Sequence, residues 1–278
     1  MPELMGDVVM NIGNIISNSL KYPFRNLKKL PILFILFILF SFIPIGVIYD
    51  NKYVLTIGAI AFFAFILIVP GYLLSIVNIG LNESSMFPSI DFGKNIYDTI
   101  RVLVLRIAYM IVPAAVFYVV LSTMGVSSIG MLADIKVHSF LLTLILMIFV
   151  VLITYVIFEI LLFFAKARLA YFNSLSEALK VNKVVSDIRN IGIFNIIKWV
   201  IFMVILMIVV SYISSWLMLI PYVGFLIYLG IVIPILESIG NYSLGLLYSN
   251  IADNDNSLDK LESTIQSLEY NNYFDDEK

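Results

Sequence analysis

The amino-acid sequence predicts an all-α polytopic membrane helix bundle, six transmembrane helices arranged as three hairpins with amphipathic helices at the interface. Three observations carry this. Apolar residues make up 61% of the chain and charged residues 13%, with a mean hydropathy of +1.02, which leaves too little polar surface for a water-soluble domain. The apolar residues fall in stretches of roughly twenty, the length that crosses a hydrocarbon core. Of the 17 Lys and Arg residues, only Lys52 and Lys136 fall outside the segments that alternation of the spans puts on the cytoplasmic side, as the retention of Lys and Arg in cytoplasmic loops requires.

The first segment, Asp7 to Lys21, sets Val8, Val9, Ile12, Ile15 and Ile16 against Asn11, Asn14, Asn18 and Lys21 on opposite helical faces. This predicts an interfacial amphipathic helix ended by Pro23. Lys21, Arg25, Lys28 and Lys29 then anchor the cytoplasmic end of span one, Pro31 to Tyr49. That stretch is too long for a signal-peptide core and lacks a small-residue cleavage site. After an outer turn at Asp50 to Lys52, span two returns from Tyr53 to Gly80 and is interrupted by Pro70 and Gly71. In the inner segment that follows, Asp91 is the expected cap of a helix running through Arg101 and Arg106 into span three, which ends near Leu121. Pro113 is expected to kink it. Ser122 to His138, rich in Ser and Gly, is an outer connector, and span four runs from Ser139 to Ala165.

Lys166, Arg168, Lys180, Lys183, Arg189 and Lys198 read as a basic inner loop. Within it Ser174 and Glu177 have the spacing of a capping box, opening an interfacial helix with Leu175, Leu179, Val184, Val185 and Ile188 on its apolar side. In span five, Trp199 and Trp216 lie seventeen positions apart, ~26 Å along a helix, and are expected at the two interfacial belts. Pro221 to Gly224 makes an outer turn, and span six runs from Phe225 to Tyr248 with Pro234 and Glu237 inside it. Residues 1–249 are thus one six-span domain, and 250–278 form an acidic cytoplasmic tail. In the tail Leu258, Leu261, Ile265 and Leu268 mark a short amphipathic helix. Its acids disfavour anionic headgroups, so its expected contact is the chain's own basic inner loop or a protein partner. Both termini are expected in the cytoplasm, with the spans in the cell membrane.

The pattern of an amphipathic inner segment followed by two spans joined outside recurs three times, near Asp7, Asp91 and Ser174. Three stretches carry a resemblance: SLKYPFRNLKKL before span one, PGYLLSIVNIGLN at the end of span two, and FPSIDFGKNIYDTIRVLVLRIAYMIVP leading into span three. In these the chain resembles DUF4013, an uncharacterised family of archaeal and bacterial multi-pass membrane proteins, with a similar layout through Tyr248. Where relatives tend to have an acidic residue and a tryptophan after the inner-loop proline, this chain has Asp91 and Phe92. The resemblance implies the fold and brings no reaction.

The absence of Cys and the single His138 exclude disulfides, thiolate sites and histidine clusters. There is no nucleophile paired with a base, no zinc-ligand spacing and no glycine-rich phosphate loop. No catalytic residue, cofactor or metal and no nucleic-acid role is expected. DNDNSLDKLEST from Asp253 begins like a calcium loop but places Leu258 where glycine is needed and Thr264 where the bidentate glutamate belongs.

The chemical leads are three ionisable residues inside apolar spans, each costing ~3 kcal/mol at a helix centre unless paired or snorkelled. Arg106 and Glu159 lie at similar depth and are expected to form a structural ion pair. Glu237, three residues after Pro234 with Asn241 and Tyr242 close behind, is a candidate polar site. A desolvated carboxyl there exchanges a proton or binds a cation, or else it serves only as a helix contact. Two functions follow. A non-enzymatic membrane scaffold or assembly subunit ranks first on sequence, because it needs only packed spans, interfacial helices and a tail. A small-solute or ion permease ranks second, because it requires Glu237 to line a wet cavity on which polar groups from several spans converge. Substrate, partner and oligomeric state are not encoded in any motif.

Overall fold

A computed structural model of the protein describes residues 12–25, 30–131 and 137–249. The start of the first amphipathic segment (7–11), Lys28, Lys29, Lys136 and the predicted tail helix lie outside the described residues. All regular structure in the described residues is helical. In chain order it comprises α1 (Ile12–Arg25), α2 (Leu30–Ile48), α3 (Lys52–Leu81), α4 (Phe92–Met131), α5 (Val137–Phe172), α6 (Leu175–Ala178), α7 (Val181–Ile191), α8 (Ile193–Ser215) and α9 (Val223–Ser249). Five of these, α3, α4, α5, α8 and α9, are long and apolar enough to cross a membrane. The described apolar stretch of α2, Leu33–Ile48, is shorter than that standard. Exposed apolar side chains such as Ile60, Phe63, Ile107, Phe149 and Ile208 fit a bilayer environment.

Local chemistry sets the helix starts. Asn51 caps α3, accepting a hydrogen bond from the Val54 N–H at 3.2 Å. Asp91 caps α4 as its sequence position predicts, its Oδ1 accepting from the Lys94 N–H at 3.1 Å. The expected capping box is not formed. Ser174 stands at the N-cap of α6, but its hydroxyl lies against Ser176 Oγ at 3.1 Å, and Glu177 is turned toward Arg168 and Lys180. Charge-assisted bonds outcompete the neutral cap, and α6 stops after four residues. Helix α1 runs two residues past Pro23, to Arg25.

Helices approach closely at several of the glycines. A Cβ on Gly245 of α9 would stand 2.2 Å from Val77 O, and one on Gly80 of α3 would stand 2.4 Å from Tyr242 O, so α3 and α9 cross backbone to backbone. At the opposite end of α9, residues Tyr228–Val232 form a π-helical turn. Pro234 clashes with the carbonyl four residues earlier, that of Gly230, and the wider turn relieves the clash. Gly230 is pressed against Ile38 of α2. This part of α9 packs chiefly on α2 and only slightly on α8, so the third pair of apolar helices separates at this end. Helix α1 docks through Tyr22, whose ring stacks between Tyr242 at 4.0 Å and Phe87 at 4.5 Å. Burial, and after it the neighbouring Tyr72 and Tyr242, push the Tyr22 phenol well above its ordinary pKa.

The tryptophans do not form two matching belts. Trp216 is exposed in a 3-10 turn, whereas Trp199 is buried and donates its Nε1–H to Ser243 Oγ at 3.1 Å. An indole with a satisfied N–H packs inside as well as it sits at an interface.

Candidate functional site

A cavity of about 410 Å³ opens between α2, α3, α4, α5 and α9. Its walls are mostly apolar, among them Phe37, Phe65, Leu105 and Phe163. Its polar groups come from three helices: Arg106 on α4, Glu159 and Lys166 on α5, Glu237 and Asn241 on α9. Seven residues separate Glu159 from Lys166, two helical turns, so both project from one face of α5; Glu237 and Asn241 share a face of α9 at a spacing of four.

Asn241, only 3% exposed, links the two sides. Its Oδ1 accepts from Lys166 Nζ at 2.5 Å, and its Nδ2 donates to Glu237 O at 2.8 Å and to Glu237 Oε2 at 3.2 Å. The described ion pairs do not include Lys166 with Glu237; the amide of Asn241 stands between them. On the α4 side, Arg106 Nη2 lies 3.4 Å from Glu159 Oε1, which also accepts from the Tyr155 hydroxyl at 2.7 Å. The Arg106 side chain is 59% exposed and that of Glu159 21%, so this pair forms the open rim of the cavity. Two cations and two carboxylates leave the site formally neutral.

Arg106, Glu159, Glu237 and Asn241, the two separate leads of the sequence, thus meet in one cavity. Tyr242 does not line it. One residue advances a helix by ~100°, which turns Tyr242 away from the cavity and onto Tyr22.

Lys166 is the residue missed by sequence reasoning, and it corrects the reading of a basic loop. Helix α5 extends to Phe172, so Lys166 and Arg168 are helical rather than in a loop. Arg168 is buried. Its Nη1 pairs with Asp187 Oδ2 at 2.7 Å, while Nη2 and Nε reach Glu177 Oε2 and O at 3.1 and 3.0 Å. The inward face of α7 accordingly carries Asp187 with Val184 and Ile191, while Val185 is exposed. Its two-turn spacing from Glu159 becomes a signal only once the helix is known to continue past Ala165.

Chemically, the cavity can hold a small polar or charged solute between a carboxylate, an ammonium and a guanidinium. Among the described residues no group of three or more His, Cys, Asp or Glu side chains could hold a metal ion. The profile of a family described as "Protein of unknown function (DUF4013)" matches residues 54–219, so SLKYPFRNLKKL and the whole of α9 lie outside the match. No curated protein and no solved structure matches the chain.

Proposed function

Because the chain belongs to the DUF4013 family, whose description carries no activity, we propose from the geometry that it is a membrane permease binding a small solute or ion in the cavity around Glu237. The observation that carries this reading is the convergence of Arg106, Glu159, Lys166, Glu237 and Asn241 from three helices on one cavity. Ionisable groups in apolar spans are costly and mark solute or ion pathways far more often than packing alone accounts for. The scaffold reading, first on sequence, uses none of these groups.

The proposed topology has six spans. Helix α2 counts 19 residues, ~28 Å of helix, close to a hydrocarbon thickness. With α2 spanning, the Lys and Arg residues gather on one side, which supports a topology with both termini in the cytoplasm.

The test is flux. Wild-type and Glu237→Gln protein reconstituted into liposomes are placed in iso-osmotic potassium chloride, glycine, leucine or a neutral sugar, and swelling is followed by light scattering. At least one solute should enter faster with wild type than with the variant. Equal rates for both proteins and for empty liposomes, together with a stoichiometric protein recovered on native extraction, would establish the scaffold instead.

A further inference from the structure

Resting on the permease reading, we infer the class of solute: a small zwitterion whose ammonium group sits on Glu237 and whose oxyanion sits on Lys166, with an apolar portion against the cavity walls. The two charges are held apart by the Asn241 amide, and each has bonding capacity left over. Among the described residues, Glu237 accepts one side-chain hydrogen bond, the 3.2 Å contact from Asn241. Lys166 has three N–H donors and spends one, on Asn241 Oδ1. Arg106 and Glu159 already pair with one another at the open rim, where Glu159 also accepts from Tyr155, which leaves Glu237 and Lys166 as the charged groups of the cavity with no opposite charge paired to them among the described ion pairs.

Charge balance selects a zwitterion over a single ion. The cavity is neutral as built, so a lone cation or anion would leave a net charge among apolar walls, where charges need pairing. A zwitterion meets both Glu237 and Lys166 and leaves the sum unchanged. The other walls facing Lys166, from α2 and α3, contribute Phe37, Phe65 and Pro70 and no counter-charge. The volume of about 410 Å³ falls within the ~300–1,000 Å³ of small-molecule sites. Such an ammonium-and-oxyanion pair exists in a free amino acid and in the ethanolamine phosphate head of a lipid.

Thermal melting of the full-length protein in detergent tests this with a fragment series. Leucine, 3-methylbutylamine and 4-methylpentanoate share one hydrocarbon tail and carry both charges, the cation alone or the anion alone. Dihexanoyl phosphatidylethanolamine represents the lipid source, against dihexanoyl phosphatidylglycerol. A zwitterion should raise the melting temperature by a few degrees at a concentration where its single-charge analogues do not, and Glu237→Gln and Lys166→Gln should each abolish the shift. Response to leucine assigns the site to a free solute, and response to phosphatidylethanolamine alone assigns it to a headgroup. The inference is overturned if the amine or the acid stabilises as well as leucine, if no zwitterion stabilises, or if the shift survives both substitutions. The wild-type series decides the matter even where a variant does not fold. Liposome swelling in potassium chloride without any zwitterion effect would sink this inference and leave the permease reading standing.

Discussion

Arg168 of α5 and Asp187 of α7 form a buried ion pair at 2.7 Å, and the same Asp187 oxygen accepts the Tyr248 hydroxyl of α9 at 2.6 Å. Three helices are thereby fixed to one another two turns beyond Asn241 along α9. Removing the acid alone takes the shorter of its two ion pairs from the buried guanidinium, leaving it only the part-exposed Glu177, and takes the acceptor from the Tyr248 hydroxyl. Asp187→Leu should therefore lower stability by ~3–5 kcal/mol, whereas the double change Arg168→Met with Asp187→Leu should recover much of it. Unfolding in mixed detergent micelles reads both. Additive losses would refute the pairing.

Glu177 gives the same region a pH dependence. Its hydrogen bonds to Lys180 and then Arg168 hold its carboxyl below the usual carboxylate value. A depressed acid stabilises the folded form above its unfolded pKa, and that contribution fades as pH falls through the ordinary carboxylate value to the lower folded one. Amide exchange over Leu175–Lys180, compared with Glu177→Gln at each pH, should show extra protection near neutrality that shrinks below about pH 4.5. Equal protection in both proteins at neutral pH would contradict the assignment.

How much of this was legible in sequence follows from which physics is local. Hydropathy and capping depend on neighbours within one helix, so the long spans and the Asp91 cap could be read directly. Asn241 could be picked out beside Glu237 because both lie in one apolar stretch. Lys166 could not be placed, because a base near the end of an apolar run satisfies loop-charge counting equally well in a loop or on the helix. Asp187 was hidden for a related reason: an acid on a moderately apolar face reads as solvated until Arg168, nineteen positions earlier, is seen to fill that face. The neutral capping box at Ser174 was legible and lost to charges whose position only the tertiary packing sets.

The six-span topology predicts that α2 carries the chain across the bilayer. Reporter insertions after Arg25 and after Asn51 should be accessible from opposite sides, and an insertion after Asn173 should share the side of Arg25. If Arg25 and Asn51 report the same side, α2 lies within the membrane without crossing and only the five longer helices span.

Asn241 should matter more than its neutral side chain implies. Asn241→Leu keeps the branched heavy-atom skeleton but removes the acceptor from Lys166 and the donor to Glu237 in one step. Leaving both groups short of a partner should lower stability by ~1–3 kcal/mol for each group not rescued by water and should slow the solute entry that depends on Glu237. Unaltered melting and unaltered liposome swelling would show that the amide does not connect the two charges.

Two glycines on α9, five residues apart, should respond in opposite directions to the same substitution. A methyl group on Gly240 meets nothing within 4 Å, and replacing helical glycine with alanine favours the helix by up to ~1 kcal/mol. A methyl group on Gly245 falls 2.2 Å from Val77 O and 2.8 Å from Gly80 Cα. Those atoms are backbone of α3 and cannot rotate aside, so the helices must separate, a strain of ~1–3 kcal/mol by analogy with overpacked cores. Gly240→Ala should therefore melt at or above the wild-type temperature and Gly245→Ala clearly below it. Because α9 carries Glu237 and Asn241, separating it from α3 also shifts the carboxylate relative to Lys166, so Gly245→Ala should depress liposome swelling without touching a cavity residue. Equal melting of the two alanine variants would mean that α3 and α9 do not cross backbone to backbone.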